Sequence, residues 1–202
     1  MRKVISLIIA GVGGQGNVKA AQILGLAALK TGLDAVVSDV FGISQRGGAV
    51  ISHVKIGEKV HGPLVAEHDA DVVVGLEPME ALRAALKFAK PSCLILMNKR
   101  VIPPIEVSIG FYKYPPFDDL VKVLKQLAKV VIALDFSELA EKAGLPVATN
   151  IAMLGGLAAT KILPINVNVL REAVKEGVPR AVEQNLTAFD LGFDAVAQVI
   201  NR

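Results

Sequence analysis

The chain has 202 residues, 52% of them apolar, and a formal net charge of +3. That length supports one α/β domain with a real core, burying roughly 70% of the surface its unfolded chain exposes. The charge is slight and dispersed, with no basic run interleaved with aromatics, which disfavours nucleic-acid binding.

The chain opens with "MRKVISLIIAG", two basic residues before an apolar run. The run has strand length and flows into a glycine turn, so Val4–Ala10 reads as a first strand and not as an export signal. Gly16–Lys30 reads as a helix and Asp34–Val40 as a second strand. A polar loop, "FGISQRGG", follows. "AVISHVKIGEKVHG" has β-branched residues on both sides of Gly57-Glu58, a hairpin signal. "ADVVVGL" reads as a buried strand, Pro78–Ala89 as a helix and "SCLILMN" as a strand. Four prolines punctuate "RVIPPIEVSIGFYKYPP", which is expected to be edge strand and loop. Asp118–Ala128 is expected as a helix, "VVIALD" as a strand and Phe136–Ala143 as a short helix. From Thr149 onward only helices are expected. Alternating strands and helices predict a three-layer α/β/α fold with a mostly parallel mixed sheet and a helical C-terminus. No repeat or linker is visible, so residues 1–202 read as one domain. No apolar stretch reaches the ~18 residues of a membrane span. With one cysteine, Cys93, the chain is expected to be cytoplasmic and free of disulfides.

Gly11, Gly13 and Gly16, with an extra Gly14, fit G-x-G-x-x-G between a strand and a helix. Such a corner lets backbone approach an anion at a helix N-terminus. Asp39, 23 residues past Gly16, sits about where a ribose-binding acid belongs. Against a dinucleotide, Gln15 and Asn17 place amides where small residues usually flank a pyrophosphate. The second half also lacks further strand–helix repeats. A turn that only packs helix on sheet is the alternative.

In the polar loop, Ser44, Gln45 and Arg46 bring hydrogen-bond donors together between Gly42 and Gly47-Gly48, where α/β proteins place sites. Arg46 could pair with a carboxylate or phosphate. Two helices, "NVKAAQILGLAALK" and "TNIAMLGGLAATKIL", are apolar nearly all round, whereas a helix on one side of a sheet needs a single stripe. They are expected to face a partner chain, with Gly155-Gly156 admitting a close backbone; a tightly packed core is the alternative. Val182, Leu186, Phe189, Phe193, Val196 and Ile200 form a helical seam expected to dock on its own sheet, with Pro179 in the first turn.

Other chemistry-bearing residues support little. His53, His61 and His68 lack metal-ligand spacing and are expected as hairpin-surface or core histidines, the first two on either arm of the hairpin. Cys93 is expected to be a buried small hydrophobe. Asp118-Asp119 reads as a helix cap, and Glu77 before Pro78 as a turn residue. A single cysteine cannot supply the four thiolates an iron–sulfur cluster generally needs. No catalytic residue and no metal site is assigned.

Taken in order, "GVGGQGNVKAAQILGLAA", "SDVFGISQRGGAVISHVKIG", "NIAMLGGLAATKILP" and "VEQNLTAFDLGFDA" resemble the small (beta) subunit of indolepyruvate:ferredoxin oxidoreductase. That subunit is equivalent to the gamma subunit or gamma domain of other 2-oxoacid:ferredoxin oxidoreductases. The resemblance runs from near Ile5 to near Ala197. Its most specific parts are Ser44–Gly48 and the segment around Asn185, Leu186, Ala188 and Phe189. It implies a division of labour in which this chain alone holds no cofactor. Thiamine diphosphate and iron–sulfur clusters lie on a large alpha subunit, the acyl group passes to coenzyme A, and ferredoxin accepts the electrons. Gly11, Gly13, Gly14 and Gly16 then form a structural corner, or at most a site for an anionic group of coenzyme A. Ser44, Gln45, Arg46 and Gly47 would contact the large subunit or its ligands. A gamma subunit for pyruvate or another 2-oxoacid, a free-standing NAD-dependent oxidoreductase and a ligand-sensing domain remain as alternatives.

Overall fold

A computed structural model describes residues 4–41, 48–103, 107 and 109–201. Its centre is a six-stranded sheet in the order β2-β3-β1-β4-β5-β6. The strands are β1 Ile5–Val12, β2 Asp34–Phe41, β3 Ala49–Gly57, β4 Ala70–Gly75, β5 Ala89–Asn98 and β6 Val130–Leu134. β1, β4, β5 and β6 pair in parallel, whereas β3 is antiparallel to both β1 and β2. The described residues also form seven α-helices: α1 Asn17–Lys30, α2 Pro78–Phe88, α3 Phe117–Leu127, α4 Phe136–Lys142, α5 Thr149–Ala159, α6 Val167–Gly177 and α7 Val182–Ile200. A 3-10 turn spans Pro146–Ala148.

The expected three layers are present. β4, "ADVVVG", is buried on both faces and is therefore apolar without alternation. On one face Ile8, Ala10, Val73 and Ile95 meet α2 and α3. On the other, Leu7, Ile9, Val54 and Val72 meet α1 and the C-terminal helices. The C-terminal ends of β1, β2, β4, β5 and β6 share one end of the sheet, as the pairing directions require.

Several expectations need correction. The hairpin joins β2 to β3, with Phe41 opposite Val50 and Asp34 opposite Gly57. Gly57 ends a strand, and residues 58–69 form no second arm. Gly57 lacks a side chain because a Cβ there would lie 2.9 Å from Val4 Cγ2. The described residues between Lys99 and Pro116 contain no edge strand; β2 and β6 are the edges. Pro116, not an aspartate, is the N-cap of α3, and Asp118 and Asp119 fall within its first turn, where they oppose the helix dipole. α7 begins at Val182, after Ala181 in a left-handed conformation, so Pro179 lies outside it.

The two apolar helices are covered by their own chain. α1 packs between the sheet and α6, with Ile23 against Gly177 and Gly25 against Val37. In α5 nine residues are buried, from Asn150 to Ala159. Its outer side is closed by α7, which crosses so tightly that a Cβ on Gly155 would lie 1.9 Å from Phe189 O. The expected close backbone at Gly155-Gly156 is thus this chain's own, and the apolar seam of α7 docks chiefly on α5 and not on the sheet.

Candidate functional site: the glycine corner and its clefts

The turn from β1 into α1 lies at the C-terminal end of the sheet, where open α/β folds place ligands. Gly16 is the N-cap of α1, with φ 84° and ψ 27°. That left-handed conformation favours glycine. A Cβ would also lie 2.4 Å from Asn150 Nδ2, the amide that donates to Gly16 O at 3.1 Å. α5 is thereby fastened to the corner.

The interior of the corner is filled by the chain's own amides. Gln15 Oε1 accepts from Val12 N–H at 2.7 Å, and Gln15 Nε2 donates to Leu76 O at 3.0 Å. Buried Asn17 donates through Nδ2 to Val50 O at 3.0 Å. A Cβ on Gly11 would meet Gln15 Oε1 at 2.8 Å and Asn17 Oδ1 at 2.9 Å. Gly13 N–H donates to Gly48 O at 2.9 Å. The corner therefore braces β1 against β3, the end of β4 and α5. In a dinucleotide fold that space admits the pyrophosphate.

Asp39 does not serve the corner. β3 is inserted between β1 and β2, so Asp39 lies two strands from β1, about 9–10 Å away. Its carboxylate accepts instead from Ser52 Oγ. The sequence placed this acid at a plausible distance along the chain, but the inserted antiparallel strand takes it out of reach.

Two open clefts flank Gly14, whose backbone is exposed with φ 103°. One, of about 340 Å³, is lined by Gly13, Gly16, Asn17, Lys19, Phe41 and Val50 among others. Gly16 offers no side chain to the first turn of α1, and Lys19 adds a cation there. The other, of about 220 Å³, is lined by Gln15, Arg100, Ile102, Ser137, Val147 and Thr149 among others. Arg100 is paired with Glu141 at 2.5 Å. Ser44, Gln45, Arg46 and Gly47 lie outside the described residues. Their flanks meet the corner: Phe41 lines the larger cleft, and Gly48 accepts from Gly13.

Other polar residues prove to be braces. Asn98 Oδ1 accepts from Phe136 N–H at 3.0 Å, and its Nδ2 donates to Leu76 O and to Ser137 Oγ. Glu77, almost fully buried, caps α2 by accepting from Met79 N–H and Glu80 N–H at 2.7 and 3.0 Å. Tyr114 donates to the same carboxylate at 2.5 Å, anchoring the β5–α3 crossover. Burial and then Glu77 hold the Tyr114 hydroxyl well above its ordinary value. The turn role expected of Glu77 is therefore right, and its link to Tyr114 has no sequence signal.

Cys93 is fully buried, and burial pushes its thiol up to about 12, the opposite of an activated nucleophile. His53 is a core histidine: Nδ1 accepts from Val65 N–H at 3.1 Å, and the ring stands edge-on to Phe88. His61 and His68 are exposed, and neither lies on a hairpin arm. Among the described residues no group of three or more His, Cys, Asp or Glu could hold a metal ion, and no helix is long and apolar enough to cross a membrane.

The sequence matches the pyruvate ferredoxin/flavodoxin oxidoreductase family over residues 6–195. It is 39% identical to the indolepyruvate oxidoreductase subunit IorB of Pyrococcus horikoshii, covering 98% of this chain and 99% of that one. It is 31% identical to the 2-oxoglutarate synthase subunit KorC of Methanothermobacter marburgensis, over 98% of each chain. The fold is that of the keto/oxoacid ferredoxin oxidoreductase gamma subunit from Geobacter sulfurreducens, with a TM-score of 0.68 at 24% identity, over 96% of this chain and 99% of that one. With the match covering nearly the whole sequence, the chain belongs to the pyruvate ferredoxin/flavodoxin oxidoreductase family.

Proposed function

We infer that this chain is the small subunit of an indolepyruvate:ferredoxin oxidoreductase, acting in the cytoplasm as a single gamma-type domain over residues 1–202. The observation that carries the reading is its 39% identity to IorB along both chains, against 31% to KorC. The reaction is the oxidative decarboxylation of an aryl pyruvate. The 2-oxoacid, coenzyme A and two oxidised ferredoxins give the acyl-coenzyme A, carbon dioxide, a proton and two reduced ferredoxins.

The chain's own residues support a structural share in that reaction. One buried cysteine with a raised thiol cannot ligate a cluster that takes four thiolates. Thiamine diphosphate, which supplies the carbanion that makes such decarboxylation possible, and the clusters are assigned to a large alpha subunit. The amides of Gln15 and Asn17 favour a structural reading of Gly11, Gly13, Gly14 and Gly16 over an NAD site. An anionic group of coenzyme A would approach from outside, in the larger cleft beside Lys19 and the first turn of α1. Ser44, Gln45, Arg46 and Gly47 are assigned to contact with the large subunit or its ligands.

The test is co-production of this chain with the large subunit of its host, followed by ferredoxin reduction with coenzyme A and a panel of oxoacids. Indolepyruvate is expected to exceed pyruvate and 2-oxoglutarate in kcat/KM by at least tenfold. A preference for either of the others would assign the chain to the neighbouring gamma-subunit class.

A further inference from the structure

The large apolar side chains left in solvent are concentrated at one end of the molecule. Phe41 ends β2, and Ile102 follows β5. Phe111 and Tyr112 lie in the crossover that Tyr114 pins to Glu77, and Val147 tops the 3-10 turn before α5. All these points are at the end of the sheet that carries the glycine corner. Ile200 joins them, because α7 runs antiparallel to α5, with Gly192 against Ala152 and Gly155 against Phe189, and so returns to the 3-10 turn. Val147 is 80% exposed, Phe111 75% and Tyr112 70%. Among the described residues, Leu29, Leu64, Leu86, Val123 and Val130 are exposed large apolar side chains elsewhere on the molecule.

Clustering at one end distinguishes this surface from singly scattered apolar side chains. With about 200 Å² for a fully exposed aromatic side chain, Phe41, Phe111 and Tyr112 alone present roughly 400 Å², and Ile102, Val147 and Ile200 add to it. The largest apolar patch on a typical monomer is about 300–600 Å². A stable protein–protein interface takes about 800 Å² from each partner. Phe41 lines the larger cleft at Gly14, and Ile102 and Val147 line the smaller, so whatever covers this surface closes over the candidate site.

We propose that this end of the sheet is the face on which the cluster-bearing large subunit docks, with apolar side chains of that partner seated between Ile102 and Val147 in the smaller cleft. The proposal rests on the function inferred above. In an open α/β sheet this is the end where ligands bind. This chain lacks the groups that react, so the surface closing that end belongs to the chain that holds them. A second copy of this chain would bring only the same deficiency.

The test uses the co-produced complex and three variants of this chain: Ile102→Asp, Val147→Asp and, at the opposite end, Leu29→Asp. All three positions are exposed, and circular dichroism and melting temperature confirm folding. Affinity for the large subunit is measured by interferometry, and oligomeric state by light scattering. Ile102→Asp and Val147→Asp are each expected to weaken the complex at least tenfold while Leu29→Asp leaves it unchanged. Tyr112 should lose reactivity to hydroxyl-radical labelling when the complex forms. Unchanged affinity in both cleft variants, with Tyr112 equally reactive, would overturn this docking face and leave the subunit reading standing. So would a wild-type dimer of this chain alone that the cleft variants break while still binding the large subunit. Failure of the wild-type chain to bind the large subunit at all would overturn the subunit reading and the docking face with it.

Discussion

Replacing Gly155 by alanine should destabilise the chain although alanine is the better helix former. Alanine gains about 1 kcal/mol over glycine in a helix interior. Here a Cβ would stand 1.9 Å from Phe189 O and 2.7 Å from its carbonyl carbon, against ordinary contact of 3.4–4 Å. α5 and α7 would have to separate by more than an ångström along their crossing. Gly192 reinforces the constraint, since its own Cβ would lie 1.9 Å from Ala152 O. Overpacking typically costs about 1–3 kcal/mol. Two backbones face each other at this crossing, so relief by side-chain rotation is closed and about 3 kcal/mol applies. The net is about 2 kcal/mol of lost stability, or a melting temperature about 4–8 °C lower for a domain of this size. Gly25→Ala is the matched comparison. Its Cβ would meet only Val37 Cγ2 at 3.2 Å, a methyl that can shift, so stability should hold or rise by up to about 1 kcal/mol. Thermal and urea unfolding of both variants test this. A Gly155→Ala protein as stable as wild type, or shifted in step with Gly25→Ala, would refute the close-crossing argument.

Other consequences are open to direct measurement. Burial first, then Lys87 and Lys55, hold His53 below its ordinary value, with Asp39 acting the other way. The unfolded chain therefore binds a proton that the folded chain resists, and stability present above about pH 6.5 should fall as the pH drops below it. His53→Asn, which keeps an acceptor for Val65 N–H, should flatten that decline; an equal loss of unfolding free energy between pH 7 and 5 in wild type and variant, measured by urea titration, would contradict the assignment. The isolated chain should show no saturable binding of NADH below about 1 mM, because Gln15 and Asn17 occupy the corner; micromolar binding lost in Gly13→Val would reverse that conclusion. Arg46→Ala should lower kcat/KM of the reconstituted complex about tenfold or more, the scale of one charged hydrogen bond, at unchanged melting temperature. Wild-type turnover in that variant would remove the loop from the proposed site.

Much of the fold was legible because its strands announce themselves. "ADVVVG" has the continuous apolar run of a doubly covered strand, and the glycines at the end of β1 mark the turn into α1. The errors share a cause: local pattern does not carry spatial order. β-branched residues on both sides of Gly57-Glu58 imitate a hairpin, but the true partner of β3 is the preceding strand, across the segment at Ser44–Gly47. Asp39 has the right spacing from Gly16 and the wrong neighbour, since no sequence period tells that β3 inserts beside β1. The all-round apolar character of α1 and α5 suggests, in sequence alone, a surface for another chain. Amphipathic α6 and the crossing α7 supply that cover from within.

At the candidate site, the amides at Gln15 and Asn17 were the readable warning against a dinucleotide. What could not be read was their use, because Leu76, Val50 and Asn150 are distant along the chain. The exposed apolar end was equally hidden. Phe41, Tyr112, Val147 and Ile200 belong to four unrelated stretches, and only the fold gathers them.

On the function proposed above, this chain supplies structure and the reaction needs its partner. The direct measurement is indolepyruvate-dependent ferredoxin reduction by the purified small chain alone, by the large subunit alone, and by the two combined. No turnover is expected from the small chain alone, and full activity only in the combination. Enzymatic turnover by the isolated small chain would contradict it.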